Sequence, residues 1–479
     1  TLHRTHVGND QDAEHILDHA LRTALADGWG GSMISTDISD ILFGTPVPLS
    51  SEVNLGSLDE DQVNIIIHGH EPLLSELILM ACQDPEMIEY AKSKGAAGIN
   101  LTGICCTANE TLMRQGVKTA GNFLSQELAI ATGVVEAMVV DIQCIMQALA
   151  PVAASYHTKL ITTSRKAKIK GAIHMQFDEH RALEIAKEIV KAGIDNYPNR
   201  SKTEKVYIPN VTAPLVAGFS HEYLRYMQGG YYRGSFRPLN DAIMTGRIRG
   251  VAGVVGCNNA RTPHDQTHNY VVQELIKNDV LVVQTGCSAI SAAKIGLLGP
   301  EALEQAGPGL REVCEAIGIP PVLHLGSCVD NTRILTVASQ MATEGGLGSD
   351  IGDLPAVGLA PEWMSEKALS IGAYFVASGV YVIFGTKNPV AGSEEVLSLI
   401  SEGWEAKVGG KLEFILDPEE MVQKTLEHID KKRAELGLAE YDPTRFGESG
   451  DTPLAGFFAV PPEERNLYSR KAYTQAAAE

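Results

Sequence analysis

The 479-residue sequence predicts an α/β protein in which two doubly wound, Rossmann-like parallel-sheet domains follow a short helical segment. From about residue 60, short apolar runs alternate with amphipathic helical stretches, which is the pattern of parallel β/α units. The apolar runs are nearly continuous, as expected for strands that are covered by helices on both faces. Polar stretches that contain proline, near 196–205 and 437–451, divide the chain.

The individual elements follow from local patterns. Residues 14–26 carry apolar side chains at helical spacing, and the glycines from Gly28 onward end this helix. The predicted helices are 14–26, 73–82, 181–192 and 419–436. The predicted strands are 63–67, 99–104, 137–142, 160–163, 205–208, 251–255, 281–284, 321–325, 380–384 and 412–416. The domains assigned from these elements are the helical remnant of an N-terminal domain at 1–58, a first α/β domain at 59–200, a second at 201–437 and a C-terminal tail at 438–479.

Composition excludes several classes of function. The formal charge of -20, from 39 basic and 59 acidic residues, argues against nucleic acid or an anionic membrane as a partner, because both favour basic surfaces. No apolar run approaches the roughly 20 residues of a membrane span and no leader opens the chain, so we expect a cytoplasmic protein. Eight cysteines are too few for a disulfide scaffold, and the lack of any C-x-x-C pair disfavours zinc ribbons and ferredoxin-type loops.

Six predicted strands each end on a thiol or an imidazole. Ligands of doubly wound sheets bind outside the carboxyl ends of the strands, where glycines let the backbone approach closely. The residues at these ends are His68-Gly69-His70, Cys105-Cys106, Gln143-Cys144, Gly256-Cys257, Thr285-Gly286-Cys287 and Gly326-Ser327-Cys328. A cysteine that merely packs in the core explains any one of these ends, but all six together favour a set of ligands.

Thiolates and imidazoles suit iron–sulfur clusters, zinc and nickel. Five cysteines and one histidine are too many for a single zinc ion, so the pattern predicts a multi-iron cluster whose ligands come from across the chain. One of the adjacent Cys105 and Cys106 is expected to be spare, and a turn at Gly69 would leave only one of the two neighbouring histidines at the cluster. Cys82 and Cys314 lie within helical patterns and are expected to be core residues.

Longer stretches of the sequence resemble the anaerobic nickel–iron carbon monoxide dehydrogenases, in family order and over about residues 10–435. The matching segments are TDISDILFGTP at 36–46, IHGHEP at 67–72, GICCTANE at 103–110, DIQC at 141–144, GCNN at 256–259, TGCSA at 285–289, GSCVDN at 326–331 and MSEKA at 364–368. The resemblance implies the architecture that these enzymes share with the hybrid-cluster proteins. It also implies a cubane cluster in which nickel replaces one iron, beside a pendant iron.

The resemblance carries roles to particular residues. The implied metal ligands are His70 and Cys106 for the pendant iron, Cys144, Cys257 and Cys287 for the cubane irons, and Cys328 for the nickel. Lys367 matches the basic residue beside the bound substrate, and Asp27 matches an acidic residue behind that site. His324, four residues before Cys328, and His174 are available as proton acceptors.

The implied reaction is the reversible oxidation of carbon monoxide with water to CO2, two protons and two electrons, at a Ni-4Fe-4S cluster of nickel, iron and sulfide. Lys367 would stabilise charge that develops on the substrate oxygen, and a histidine or lysine would take up the protons. The implied partners are a ferredoxin-like electron acceptor, a second copy of the chain in a homodimer, and an acetyl-CoA synthase subunit.

The family normally begins with a cysteine-rich helical segment that holds further 4Fe-4S clusters. This sequence begins at Thr1 without such a segment, so we expect those clusters only from a segment missing from this chain or from a partner. Two other functions are considered. A hybrid-cluster-type hydroxylamine reductase would use glutamates and an oxygen-bridged iron site without nickel, whereas Cys105-Cys106 and the GSCVDN segment favour the dehydrogenase. A non-catalytic relative that docks onto a larger complex would not need the complete ligand set.

Overall fold

The computed structural model describes residues 2–202, 206–363 and 365–446. The strands are β1 (Leu49–Val53), β2 (Val63–Gly69), β3 (Ile99–Ile104), β4 (Lys118–Gly121), β5 (Val135–Val140), β6 (Lys159–Thr162), β7 (Ile173–His174), β8 (Ala213–Ala217), β9 (Gly250–Val254), β10 (Val280–Thr285), β11 (Val322–Gly326), β12 (Ala356–Ala360), β13 (Tyr381–Phe384) and β14 (Lys411–Phe414).

The α-helices are α1 (Leu2–His6), α2 (Ala13–Ala26), α3 (Ser32–Phe43), α4 (Pro72–Cys82), α5 (Pro85–Ser93), α6 (Cys105–Gln115), α7 (Gln126–Ala131), α8 (Leu149–Ala154), α9 (Ala182–Ile194), α10 (His221–Met227), α11 (Gly230–Arg233), α12 (Arg237–Met244), α13 (Gln266–Lys277), α14 (Gly286–Lys294), α15 (Pro308–Ile317), α16 (Asn331–Glu344), α17 (Glu366–Ala377), α18 (Glu394–Ser398), α19 (Trp404–Val408) and α20 (Pro418–Glu435). Two π-helical turns, Asp27–Gly31 and Leu399–Gly403, adjoin α3 and α19.

The chain divides into two compact units, each built on one sheet. The eight-stranded unit contains Leu49–Gly218 and Ala293–Gly296. Of the described residues, the six-stranded unit contains those up to Pro48, Phe219–Ala292, and those from Leu297 to Phe446.

The sheet of the eight-stranded unit has the order β7-β6-β5-β2-β3-β4-β1-β8. Its pairings are parallel except for β1 with β8, which is antiparallel. Every residue of the central strands β2 and β5 is buried, because helices cover both faces of the sheet. His68 of β2 is paired with Ile104 of β3 and with Val140 of β5. The carboxyl ends of these three strands therefore meet at one edge.

The sheet of the six-stranded unit has the order β11-β10-β9-β12-β13-β14, and all its pairings are parallel. β10 is buried along its whole length and lies between β9 and β11. The carboxyl ends of these three neighbours lead into Gly256, Gly286 and, within β11, Gly326. This arrangement brings the segments that follow the three strands to one edge of the sheet.

The predicted fold class is confirmed, since both units are mostly parallel α/β sheets. The predicted helices, and all predicted strands but one, lie within two residues of observed elements. The strand predicted at 205–208 is wrong for the described residues 206–208, which form no strand. Tyr207 donates one backbone hydrogen bond to Thr132, at 2.9 Å, but Pro209 has no N–H group with which to extend a ladder. The strand of this region is β8, further along the chain.

The compact units differ from the predicted domain boundaries in two places. β1 pairs along its length with β8, from Leu49 opposite Ala217 to Val53 opposite Ala213, so both strands belong to the eight-stranded sheet. The residues before β1 belong to the six-stranded unit, where Asp40 of α3 forms an ion pair with Arg333 of α16. Of the predicted tail, residues 447–479 lie outside the described ranges. Within those ranges, no helix is both long and apolar enough to cross a membrane.

Candidate metal centre

His70 stands directly after β2, on a turn that only glycine permits. Gly69 has a φ of 137°, and a Cβ atom there would lie 1.8 Å from Oδ1 of Asp141. The turn leaves His68 fully buried in the strand and His70 half-buried beyond it. Nδ1 of His70 lies 3.2 Å from the carbonyl oxygen of Ile142. A carbonyl oxygen only accepts, so this contact forms a hydrogen bond with the tautomer that carries the proton on Nδ1, and in that tautomer Nε2 has the lone pair with which a histidine binds metal.

Cys144 follows β5 on a left-handed turn beside His70. Gln143 and Cys144 have φ values of 63° and 56°, a conformation that costs free energy and needs support from its surroundings. The buried Gln126 provides it, because its Nε2 donates to the carbonyl oxygen of Cys144 at 2.8 Å and its Oε1 accepts from the N–H of Met146 at 3.1 Å. Sγ of Cys144 lies 3.8 Å from Nε2 of His70, so these two predicted ligands are side by side.

Cys105 and Cys106 open α6 at the same edge of the sheet. Cys105 forms a parallel bridge with Gly69 and has a φ of 63°. Both side chains are buried, with 1% and 4% of their surface exposed. The burial of the two residues does not distinguish a ligand from a spare cysteine, and the choice of Cys106 stays a prediction.

Asp141 is a buried carboxylate that the sequence analysis did not single out. Its Oδ1 accepts from the backbone N–H of His70, at 2.7 Å, and from that of Ile142. Its Oδ2 accepts from the N–H of Glu71 at 3.1 Å and from the hydroxyl of Thr107 at 3.0 Å. Burial raises the pKa of Asp141, and these donors oppose the rise. One carboxylate thus ties together the residues that follow β2, β3 and β5.

We expect Asp141→Asn to destabilise the metal-free protein by about 1–3 kcal/mol, because the amide nitrogen would face two N–H or O–H donors that now find an oxygen. Urea unfolding followed by circular dichroism measures the change. The matched control is Asp61→Asn, on an exposed turn, which should stay within about 0.5 kcal/mol of wild type. Equal stability of the two variants would contradict the role given to Asp141.

Three cysteines follow β9, β10 and β11 in the six-stranded unit. A glycine with a positive φ precedes each of them by one or two residues, with φ values of 104° at Gly256, 60° at Gly286 and 138° at Gly326. A Cβ atom at Gly286 would lie 2.8 Å from Sγ of Cys328, so the glycine leaves room for that sulfur. Cys257, Cys287 and Cys328 are each about 5–6% exposed. The structure therefore brings these three predicted ligands to one edge of the sheet.

Burial, followed by the neighbouring Cys328 and Cys287, raises the pKa of the Cys257 thiol to about 11. Ser365, whose Oγ lies 3.1 Å from Sγ of Cys257, and the charge of Lys367 act in the opposite direction. Several buried thiols within reach of each other's charge cannot all ionise without a strong positive partner. A soft metal cation supplies such a charge, and this donor chemistry fits the implied cluster.

The loop that carries Cys328 is held by a buried ion-pair network. Oδ2 of Asp330 accepts from the N–H of Ser327 at 2.9 Å, and Nε of Arg333 donates to Oδ1 at 3.2 Å. The guanidinium group of Arg333 also binds both carboxylate oxygens of Asp40 in α3, at 2.6 and 2.8 Å. The GSCVDN segment, which the sequence analysis singled out, contains Asp330. The sequence does not show that Arg333 binds Asp330 and Asp40.

Lys367, in the first turn of α17, lines a cavity of about 90 Å³ together with Cys257 and Cys328. The remaining lining is almost entirely apolar and includes Leu325 and Ile371. Lys367 as a residue is half-buried, and its charge lowers the pKa of the nearby Cys257 thiol. A charge beside an apolar cavity is screened less than one in water, so it acts more strongly on anything bound there.

Asp27 lies in the first π-helical turn and is bound to α17. Its Oδ1 accepts from the hydroxyl of Ser32 at 2.6 Å, and its Oδ2 accepts from that of Ser370 at 2.8 Å. Ser370 follows Lys367 by three residues on the same helix, which connects the carboxylate of Asp27 to the element that presents the lysine.

His324 is fully buried in β11, and its Nδ1 accepts from the N–H of Gly326 at 3.1 Å. Burial lowers the pKa of His324 to about 4, so the ring is neutral at pH 7 and supports the turn before Cys328. A role in proton transfer stays a prediction. His174 lies in the eight-stranded unit, where it contacts Thr162 and Gln176.

Within the described ranges, no group of three or more His, Cys, Asp or Glu side chains converges closely enough to hold one metal ion. The ligands of a multi-metal cluster bind different metal ions, so they need not share a single point. The thiols and the imidazole lone pair described above are the donors that such a cluster uses.

Comparison with known proteins finds relatives that match most of this chain. Residues 1–419 match the model of the Prismane/CO dehydrogenase family. Carbon monoxide dehydrogenase 1 of Methanosarcina mazei is 57% identical over 437 residues, which are 91% of this chain and 68% of that protein. The carbon monoxide dehydrogenase/acetyl-CoA synthase subunit beta of Moorella thermoacetica is 44% identical, over 91% of this chain and 66% of that subunit.

A solved structure agrees with the sequence relationship. A nickel-free carbon monoxide dehydrogenase from Thermococcus sp. AM4 matches with a TM-score of 0.88 at 52% identity, over 91% of this chain and 68% of that one. The resemblance noted in the sequence is thereby confirmed, and the chain belongs to the Prismane/CO dehydrogenase family.

Proposed function

We propose that this chain catalyses the reversible oxidation of carbon monoxide with water to CO2, two protons and two electrons. The proposed ligands of its nickel–iron–sulfur cluster are His70, Cys106, Cys144, Cys257, Cys287 and Cys328. The observation that carries the proposal is the meeting of three buried cysteines and Lys367 at one edge of the six-stranded sheet. When bound, such a cluster supplies a soft open site for carbon monoxide and a Lewis acid that activates water.

The residues of the chain have separable roles in this reaction. The apolar cavity beside Cys257 and Cys328 suits a small uncharged gas and disfavours ions. The ammonium group of Lys367 is a cation that can stabilise negative charge as it develops on the substrate oxygens. Asp27, with the hydroxyls of Ser32 and Ser370, offers a half-buried group that can pass protons onward from α17.

The reaction releases electrons, which need an acceptor outside the described residues. We propose an acceptor of the ferredoxin type and a homodimer, and an acetyl-CoA synthase subunit as a further partner. The printed name of the Moorella thermoacetica relative, which includes acetyl-CoA synthase, supports the last of these.

The test is an anaerobic assay of carbon monoxide oxidation with a viologen dye as electron acceptor. The chain is reconstituted with iron and sulfide, with or without nickel, and assayed alone and with a cysteine-rich ferredoxin. We expect oxidation only with nickel, because the open soft site depends on it. Activity that appears only with the ferredoxin would show that the electron path is supplied in trans.

Metal analysis of the same samples separates the alternatives. A chain that holds iron but takes up no nickel, and that reduces hydroxylamine, would favour the hybrid-cluster-type reductase. A chain fully loaded with both metals that oxidises no carbon monoxide, with or without the ferredoxin, would contradict the proposed function.

A further inference from the structure

Asp265 and Glu362 are two buried acids of the six-stranded unit, and they share one hydrogen-bond donor. Asp265 directly precedes α13 and is 8% exposed, and Glu362, two residues after β12, is fully buried. Nδ2 of Asn258 donates to Oδ1 of Asp265 at 2.9 Å and to Oε2 of Glu362 at 3.2 Å. Asn258 is itself fully buried and directly follows the proposed ligand Cys257. Two acidic side chains placed together in the interior are costly, so the arrangement calls for an explanation.

Asp265 is separated from the backbone of Cys287 by a single hydroxyl group. Oδ1 of Asp265 accepts from the hydroxyl of Ser291 at 2.5 Å. The same hydroxyl oxygen lies 3.0 Å from the carbonyl oxygen of Cys287, one turn earlier on α14. Nε2 of His264, whose side chain is 29% exposed, lies 3.3 Å from the same Oδ1. One carboxylate oxygen therefore contacts both the side chain that follows Cys257 and the side chain that supports Cys287.

Glu362 supports Cys257 from another direction. Its Oε1 accepts from the backbone N–H of Thr267 at 3.1 Å, in the first turn of α13. The next residue is the fully buried His268, whose Nε2 lies 2.8 Å from the carbonyl oxygen of Cys257. Short hydrogen-bonded paths thus connect the two acids to the segments of both proposed iron ligands.

A negative charge in this position acts on the electrons of a bound cluster as well as on its ligands. Every bond described for Asp265 and Glu362 has a carboxyl oxygen as the acceptor, as expected of ionised carboxylates. Charges in the interior are screened less than charges in water. Reduction makes a cluster more negative, so a nearby carboxylate disfavours the reduced state and lowers the midpoint potential.

We propose that Asp265 is a positioning residue of the metal centre, which holds the segments of Cys257 and Cys287 and whose negative charge lowers the midpoint potential of the cluster. The inference rests on the proposed function, since it takes both cysteines as iron ligands. A lower potential makes the electrons that leave the cluster stronger reductants for the proposed acceptor.

The test compares two substitutions of Asp265. Asp265→Asn keeps an oxygen acceptor in the place of Oδ1 and removes the negative charge, whereas Asp265→Ala removes both. For Asp265→Asn we expect wild-type iron content and a more positive midpoint potential, in an EPR-monitored redox titration at pH 8, where histidine side chains are mostly neutral. For Asp265→Ala we expect a roughly 10-fold fall in the chelator concentration that removes half of the iron, because the ligand segments are no longer held.

The matched control is Asp241→Asn, on α12 of the same unit. Asp241 is half-exposed and pairs with Arg237 at 2.7 Å, so solvent screens its charge. Its substitution should leave both the midpoint potential and the resistance to chelator unchanged.

Two results would overturn the inference. A wild-type midpoint potential in iron-loaded Asp265→Asn would mean that the charge does not act on the cluster. Wild-type resistance to chelator in Asp265→Ala would mean that the carboxylate does not hold the ligand segments. If Asp265→Ala does not fold, the potential of Asp265→Asn decides alone. Wild-type protein that loads its cluster but oxidises no carbon monoxide would count against the proposed function alone, and a wild-type chain that binds no cluster would overturn both.

Discussion

Replacing Lys367 with alanine is expected to leave nickel and iron contents unchanged and to lower kcat/KM for carbon monoxide oxidation by about 100- to 1,000-fold, the usual cost of losing one group that stabilises developing charge. Lys367 lines the apolar cavity beside Cys257 and Cys328, and the low polarity of that cavity strengthens the action of its charge. The measurement is the viologen assay, with metal content determined on the same samples.

Two further variants separate charge from position. Lys367→Arg keeps a cation of different shape and should fall between wild type and Lys367→Ala. Lys277→Ala removes an exposed lysine that pairs with Glu274 on α13, and it should retain full activity. Full turnover by Lys367→Ala would show that the charge of this lysine is not needed.

The position of the candidate ligands could be predicted because their chemistry coincides with a topological rule. Strands such as β2 and β10 consist mainly of apolar residues until near their carboxyl ends, and parallel sheets place these ends together. The glycines at these ends also predicted close turns, and Gly69 and Gly286 have positive φ values that glycine adopts most readily. The expectation that these residues follow neighbouring parallel strands therefore agrees with the structure, whereas their roles as ligands stay predictions.

What could not be predicted depends on contacts between distant residues. Nothing near Asp40 in the sequence indicates that it would form a buried ion pair with Arg333, 293 positions away. β8 was missed because its pairing with β1 is antiparallel and joins residues far apart in the chain, whereas the apolar run at 206–208 imitates a strand.

Replacing Cys328 with alanine is expected to give a chain that keeps most of its iron and loses most of its nickel. Loss of a residue that only supports a ligand lowers metal affinity by about 10- to 100-fold, and loss of the ligand itself should lower the nickel affinity at least as much. The substitution removes the sulfur but not the loop, because Asn331 still donates to the carbonyl oxygen of residue 328 at 2.9 Å and Asp330 still holds Ser327. Metal analysis after reconstitution gives the nickel-to-iron ratio. An unchanged ratio would contradict the assignment of Cys328 to nickel.

Comparison with two other cysteines makes this result specific. Cys314→Ala removes a buried thiol of α15 that lies 3.7 Å from the carbonyl oxygen of Pro320, and burial raises the pKa of that thiol, so it should lose some stability and no metal. Cys287→Ala removes a proposed iron ligand and should lower the iron content together with nickel, since the nickel site is part of the same cluster. Only the loss of nickel without iron therefore identifies the nickel ligand, and among the three variants we expect it from Cys328→Ala alone.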